Sequence, residues 1–141
     1  MIKIFKIGII FTIVLLISGT GYFYFGYYAK PKIDIEKAKV DVRATPHELL
    51  NSFNSNEMES NLKFVEKTIE VKGVIKKINF LNDRYTLFLE GQTDSTYVIC
   101  DMLTSKMNNV SNLKKGQTVR LKGICKGYLY DVVMLNCIVI N

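Results

Sequence analysis

Three cysteines, one histidine and a set of aromatic and cationic side chains are the residues of this 141-residue chain whose types could do chemistry. Cys100, Cys125 and Cys137 contain no CxxC spacing, so a structural zinc site lacks its fourth ligand and a redox dithiol lacks its pair. In an oxidising compartment they permit three alternative single bridges and leave one thiol over; otherwise they read as small buried apolar residues. His47 is the single imidazole, which excludes metal sites of the two- or three-His kind, and it reads as a surface residue. Asp83, Glu90, Asp94 and Asp101 fall at turns and strand ends, where turn chemistry accounts for them. Neither a glycine-rich phosphate loop nor a nucleophile elbow occurs. The expectation is a chain with no catalytic residue, no metal and no cofactor. What remains is stacking chemistry: Phe80, Phe88, Tyr97, Tyr128 and Tyr130 interleave with Arg84 and Lys126. Exposed aromatics beside cations suit base or sugar stacking, at roughly 1–3 kcal/mol per stacked base. Aromatics are also simply common in strands, where they can cover a sheet.

Charge places these residues in context. The chain carries a formal +6 and is 48% apolar. Lys3, Lys6 and Lys30 account for three of the 19 Lys and Arg, so residues 31–141 hold 16 against all 13 Asp and Glu. That near balance, with the two signs interspersed, reads as a solvated surface more than a polyanion-binding one.

Residues 7–29 contain no charge, and as a helix they would extend about 35 Å, enough for a hydrocarbon core of about 30 Å. Tyr22, Phe23, Tyr24, Phe25, Tyr27 and Tyr28 crowd the C-terminal end, where rings favour the lipid headgroup level. The expectation is a tail at 1–6, a single transmembrane anchor at 7–29, a linker at 30–44 and a folded domain at 45–141. Lys3, Lys6 and the terminal amine favour a cytoplasmic tail and a domain outside the cytoplasm, although Lys30 and Lys32 blunt the bias. The alternative is a cleaved signal peptide, with an apolar region at 7–17 and small residues at 18–20, leaving a secreted or periplasmic protein. The aromatic run beyond that cut favours the anchor.

Within the domain, Thr45-Pro46-His47-Glu48 spells a capping box with Pro at the first helical position, and Leu49, Leu50 and Phe53 give the helix an apolar side. Residues 54–61 read as a turn or a short second helix. Alternation then predicts strands at 68–78, 84–90, 96–100, 118–125 and 131–140, with a short helix or ordered loop at 101–113 and a loop at 126–130. Gly73 marks a bulge or bend in the first strand. Five short antiparallel strands with a helix between the third and fourth describe an OB-fold. The fold class is therefore all-β with short helices: a five-stranded OB-fold barrel preceded by an N-terminal helix and a single transmembrane helix.

The runs TIEVKGVIKKI, YTLFLEG, YVIC, LKKGQTVRLKGICKG and DVVMLNCIVI resemble the tRNA-anti-like OB-fold family of bacterial membrane-anchored or secreted proteins, over roughly residues 45–141. The most specific piece is Leu113-Lys114-Lys115-Gly116-Gln117 leading to Val119, Leu121, Gly123 and Cys125, with Asp131 and Cys137 behind. The resemblance implies a shape more than an activity. It also implies cysteines at such positions, and since Cys125 and Cys137 flank the last hairpin they are the preferred disulfide.

OB-fold ligands lie across the second and third strands, between the loop joining the first two and the loop joining the last two. Alternation turns Phe88 and Tyr97 outward as neighbours on that face. Phe80 and Arg84 would flank them on one side, and Lys126, Tyr128 and Tyr130 on the other. Glu90 and Asp94 on the same side would repel phosphate. The expected function is a membrane-anchored extracytoplasmic binding module for a protein or envelope component; the alternative is a single-stranded nucleic-acid-binding OB-fold protein.

Overall fold

The computed structural model describes residues 14–24 and 33–140. They fall in two compact units, divided after Ile33. In the first, residues 14–24 are helical (α1). Among the described residues no helix is long and apolar enough to cross a membrane. The rest of the expected 7–29 span, 7–13 and 25–29, lies outside the described residues, as do the expected tail at 1–6 and residues 30–32.

The second unit is a β-barrel. Its elements are β1 (Val42–Ala44), α2 (Pro46–Ser55), α3 (Glu57–Phe64), β2 (Thr68–Leu81), β3 (Arg84–Glu90), β4 (Tyr97–Met102), a kinked 3-10 segment (Thr104–Asn109), β5 (Thr118–Leu129) and β6 (Asp131–Val139). The strand order β1-β2-β3-β4-β6-β5 closes through a β2–β5 pairing, so β2 to β6 form a five-stranded barrel and β1 adds to its side.

Closure depends on β2 serving two partners. Residues Thr68 to Val74 pair with β5, and Ile75 to Leu81 pair with β3. A bulge between Ile75 and Lys77 re-aims the strand between them. Gly73 has a different task from the bend expected there: a Cβ at this position would come within 2.6 Å of Pro46 Cγ, so the bare backbone lets the start of α2 settle on the sheet. Asn82 and Asp83, both at positive φ, make the two-residue turn into β3.

The capping box forms as spelled. Thr45 Oγ1 accepts the Glu48 N–H at 3.3 Å, and the Glu48 carboxylate accepts the Thr45 N–H at 2.7 Å. Asn56 ends α2 and caps α3, its side chain accepting the Glu59 N–H. Leu49, Leu50 and Phe53 enter the core with Ile69, Val71, Leu87, Leu89, Val98 and Leu121.

Two boundaries differ from expectation. Residues 34–44, assigned to the linker, belong to the barrel unit. Ile35 is buried with Ile124 and Ile138 in a second small core. The nearly buried Lys122 ammonium donates to the Glu36 and Ala38 carbonyls at 3.0 and 3.3 Å. Asp41 accepts the Thr68 N–H through its carboxylate, and β1 then runs parallel to β2. The loop expected at 126–130 is strand as far as Leu129. Gly127 at φ 137 and a bulge between Cys125 and Gly127 carry the ladder through, leaving Tyr130 alone in the turn.

The candidate ligand face on β3 and β4

Leu87 and Leu89 are fully buried, which turns Arg84, Thr86, Phe88 and Glu90 outward; Val98, Cys100 and Met102 do the same for Tyr97, Ile99 and Asp101. In the β3–β4 register Phe88 faces Ile99 and Glu90 faces Tyr97, so Phe88 and Tyr97 are diagonal neighbours. Their rings meet edge to face with centroids 5.8 Å apart. The bulge in β2 sets Lys77 opposite Phe88, and its ammonium lies 5.2 Å from the ring centre.

Hydrogen bonds hold this pair in place. The Tyr97 hydroxyl donates to the Asp94 carbonyl at 2.5 Å, and the Tyr97 N–H donates to Asp131 Oδ1 at 2.6 Å, tying β4 to the β5–β6 turn. Lys76 donates to Glu90 and Asp94 at 3.0 and 3.1 Å, and these bonds hold its ammonium above the usual lysine range. Arg84 pairs with Asp101. The face thus sets Lys76, Lys77 and Arg84 against Glu90, Asp94, Asp101 and Asp131, a ring of nearly cancelling charge around two aromatics.

The remaining candidates scatter. Phe80 lies in β2, not in a loop, and packs on Tyr85 across the ladder with centroids 4.5 Å apart. Tyr85 alternates with Phe88, so Phe80 sits on the other face. Lys126 lies in β5 and spends its ammonium on the Glu66 carboxylate at 2.8 and 2.9 Å. Tyr128 stacks on Phe53 with centroids 5.4 Å apart and donates to Asn54, so it seats α2 on the barrel. Tyr130 is exposed at the β5–β6 turn, beside the Asp131 that holds Tyr97. Lys77 and Asp131 were missed by sequence reasoning. The Lys76-Lys77 pair inside a strand was the available signal, since strict alternation would send one of two adjacent lysines toward the core face.

The expected Cys125–Cys137 bridge is absent: all three cysteines are free and buried. Cys125 pairs with Met134, whereas Cys137 pairs with Met102 and reaches over Gly123, where a Cβ would lie 2.4 Å from its sulfur. Burial pushes both thiols up, and for Cys137 the neighbouring Cys100 adds to it. His47 is exposed in the first turn of α2. Among the described residues no group of three His, Cys, Asp or Glu stands placed to hold a metal ion.

The fold has known counterparts. The chain is similar to a candidate nucleic acid-binding lipoprotein from Klebsiella pneumoniae at 16% identity and a TM-score of 0.58, over 70% of this chain and 92% of that one. It also matches a candidate aspartyl-tRNA synthetase from Leishmania major at 9% identity and a TM-score of 0.48, over 79% of this chain and 23% of that one. A third match, the S. pombe Stn1–Ten1 complex, is 12% identical with a TM-score of 0.42, over 52% and 58%. At 16% identity the likeness to the first of these is one of fold. No curated protein sequence matches the chain. The sequence model of one family does, over residues 1–139, and so covers the N-terminal segment as well as the barrel. With strand order, closure and that match in agreement, the chain belongs to the tRNA_anti-like family.

Proposed function

We propose that this OB-fold is a binding module, not an enzyme, held at a membrane by residues 7–29 with its barrel outside the cytoplasm, and that its β3–β4 face takes a protein or an envelope component. The observation that carries the choice of ligand is the charge around Phe88 and Tyr97. Four carboxylates stand against three cations, and Arg84 and Lys76 are already paired. A strand of phosphates needs a cationic track, which this face does not offer. A partner that covers two rings and exchanges hydrogen bonds at a charged rim suits it better. The anchor reading rests on the uncharged run at 7–29 and on the hydroxyls of Ser18 and Thr20, which donate to the Leu15 and Leu16 carbonyls and so spend their donors inside the helix.

A second reading has one observation in its favour: Lys77 above Phe88 is an aromatic with a cation at hand, as single-stranded nucleic acid uses. Fluorescence anisotropy of the full chain in detergent with single-stranded oligonucleotides at low salt separates the two. No saturable binding is expected. Salt-dependent binding lost in Phe88→Ala and Tyr97→Ala would transfer the assignment to nucleic acid. A photo-cross-linking residue at position 88 should capture a discrete partner in intact cells, and one at exposed Met58 on α3 should not. External protease should digest the barrel in intact cells; full protection would overturn the location.

A further inference from the structure

A cleft with a volume of about 960 Å³ opens elsewhere on the barrel, and no residue of β3 or β4 lines it. It lies among β1, the start of α2, the segment after the 3-10 turn, β5 and the end of β6. Its size falls at the upper end of the range of about 300–1,000 Å³ for small-molecule sites.

The pleat brings cations together here. Ile69 and Val71 point inward, so Glu70 and Lys72 point out; Val119 and Leu121 point inward, so Arg120 points out. The ladders place Lys72 opposite Arg120 and Arg43 opposite Glu70. Three adjacent strands therefore deliver Arg43, Lys72 and Arg120 to one wall, around a single mostly buried carboxylate. Glu70 accepts from Arg43 Nε at 3.0 Å and lies 3.7 Å from Arg120 Nη1. One acid holding two guanidiniums by one edge leaves their remaining N–H groups for a ligand. Among the described residues Lys72 has no carboxylate partner. Glu48, the other acid of the lining, is committed to the Thr45 capping box.

The rest of the lining selects the ligand class. Asn112, Gln117 and Thr118 supply neutral hydrogen-bonding groups, and Gln117 already uses its carbonyl on the Lys114 N–H, which leaves its amide hydrogens to donate. No aromatic residue lines the cleft, so nothing there stacks a base. Oriented guanidinium forks with a lysine match the oxygens of a phosphate group, and amides and a hydroxyl match a polyol. We infer that this cleft is a second binding site, separate from the β3–β4 face, and that it takes a small phosphorylated polyol or sugar.

Thermal unfolding and calorimetry of the full chain in detergent test this with glucose 6-phosphate, glycerol 3-phosphate, inorganic phosphate, sodium sulfate and glucose at matched ionic strength. The sugar and glycerol phosphates should raise the melting temperature saturably and by more than inorganic phosphate, and glucose and sulfate should not. Lys72→Gln, at an exposed position, should weaken binding at least about tenfold, the loss of one charge-assisted contact, while Lys72→Arg retains it and Phe88→Ala leaves it unchanged. Arg120→Gln is the second variant, with its own melt as the check on folding. Equal shifts from every salt, no binding at millimolar ligand, or wild-type affinity in Lys72→Gln would each overturn the site.

Discussion

Gly91→Ala should be the most damaging single methyl addition in the barrel. Gly91 closes β3, and its N–H donates to the Thr96 carbonyl at 3.1 Å, which shapes the connection to β4. A Cβ there would lie 2.2 Å from that same carbonyl oxygen and 2.5 Å from Leu50 Cδ1. The side chain can turn away but the carbonyl cannot, because it belongs to the hydrogen bond that defines the loop. Overpacking costs about 1–3 kcal/mol and the loss of this half-buried hydrogen bond about 1 kcal/mol more, so the sum is about 2–4 kcal/mol. For a unit running from Asp34 to Asn141, at roughly 4 °C per kcal/mol, the melting temperature should fall by about 8–16 °C. Gly116→Ala is the matched control. Its φ of 85 strains any side chain, yet its Cβ meets open space, so it should cost about 1–2 kcal/mol, or about 4–8 °C. Circular dichroism melts of the two variants read the difference directly. If Gly91→Ala melts as high as Gly116→Ala, the steric account of the β3–β4 connection is wrong. The same displacement would move Asp94 and Tyr97, so cross-linking from position 88 should weaken with it.

The thiols provide a second check: without reductant, an alkylating reagent at pH 8 should label no cysteine in the folded barrel and three in denaturant, whereas one in denaturant would mean a bridge has formed. Because burial raises the Cys125 and Cys137 pKa values, the folded state holds protons that the unfolded state releases. Stability should therefore decline as pH rises past about 9, and replacing Cys137 with Ala should reduce that decline. Glu48 works at the other end of the scale: hydrogen bonds from Thr45 lower its pKa from 4.5, so its contribution is complete above that pH and fades as pH falls through the lowered value. Acid titration of Glu48→Gln by circular dichroism should show a shallower loss. Finally, Lys122→Met should cost about 1.5–3 kcal/mol, the range for hydrogen bonds to a charged group, and hydrogen exchange should quicken at 34–44 before it does in β2.

Features that a few adjacent residues determine were legible. The capping box needs only Thr45 to Glu48, and the outward pair Phe88 and Tyr97 follows from strict alternation in two short strands. Misreadings arose where a distant partner decides the outcome. β1 is three residues long and exists only because β2 offers an edge to it. Lys122 reads as a solvated lysine until residues 34–44 are laid across it. Phe80 reads as a loop residue if β2 stops at Ile78, but three further residues of ladder reverse its meaning. Lys126 and Tyr128 suffer the same error, since a bulge that carries a strand through Gly127 leaves no periodic trace. The cationic cleft was invisible because Arg43, Lys72 and Arg120 come from three strands, and only the register makes them neighbours.

The band at 34–44 also has a mechanical meaning. Any tension that reaches the barrel from its N-terminal side enters at Asp34 and meets the Asp34–Ala38 turn, the Ile35 contact and the Lys122 clasp before it meets β2. These are a few weak bonds in series with a closed ring of five strands. They would yield first, and the freed residues 34–44 would draw out toward the extended limit of about 3.3 Å per residue while the β3–β4 face kept its shape. A barrel built this way carries its own shock absorber.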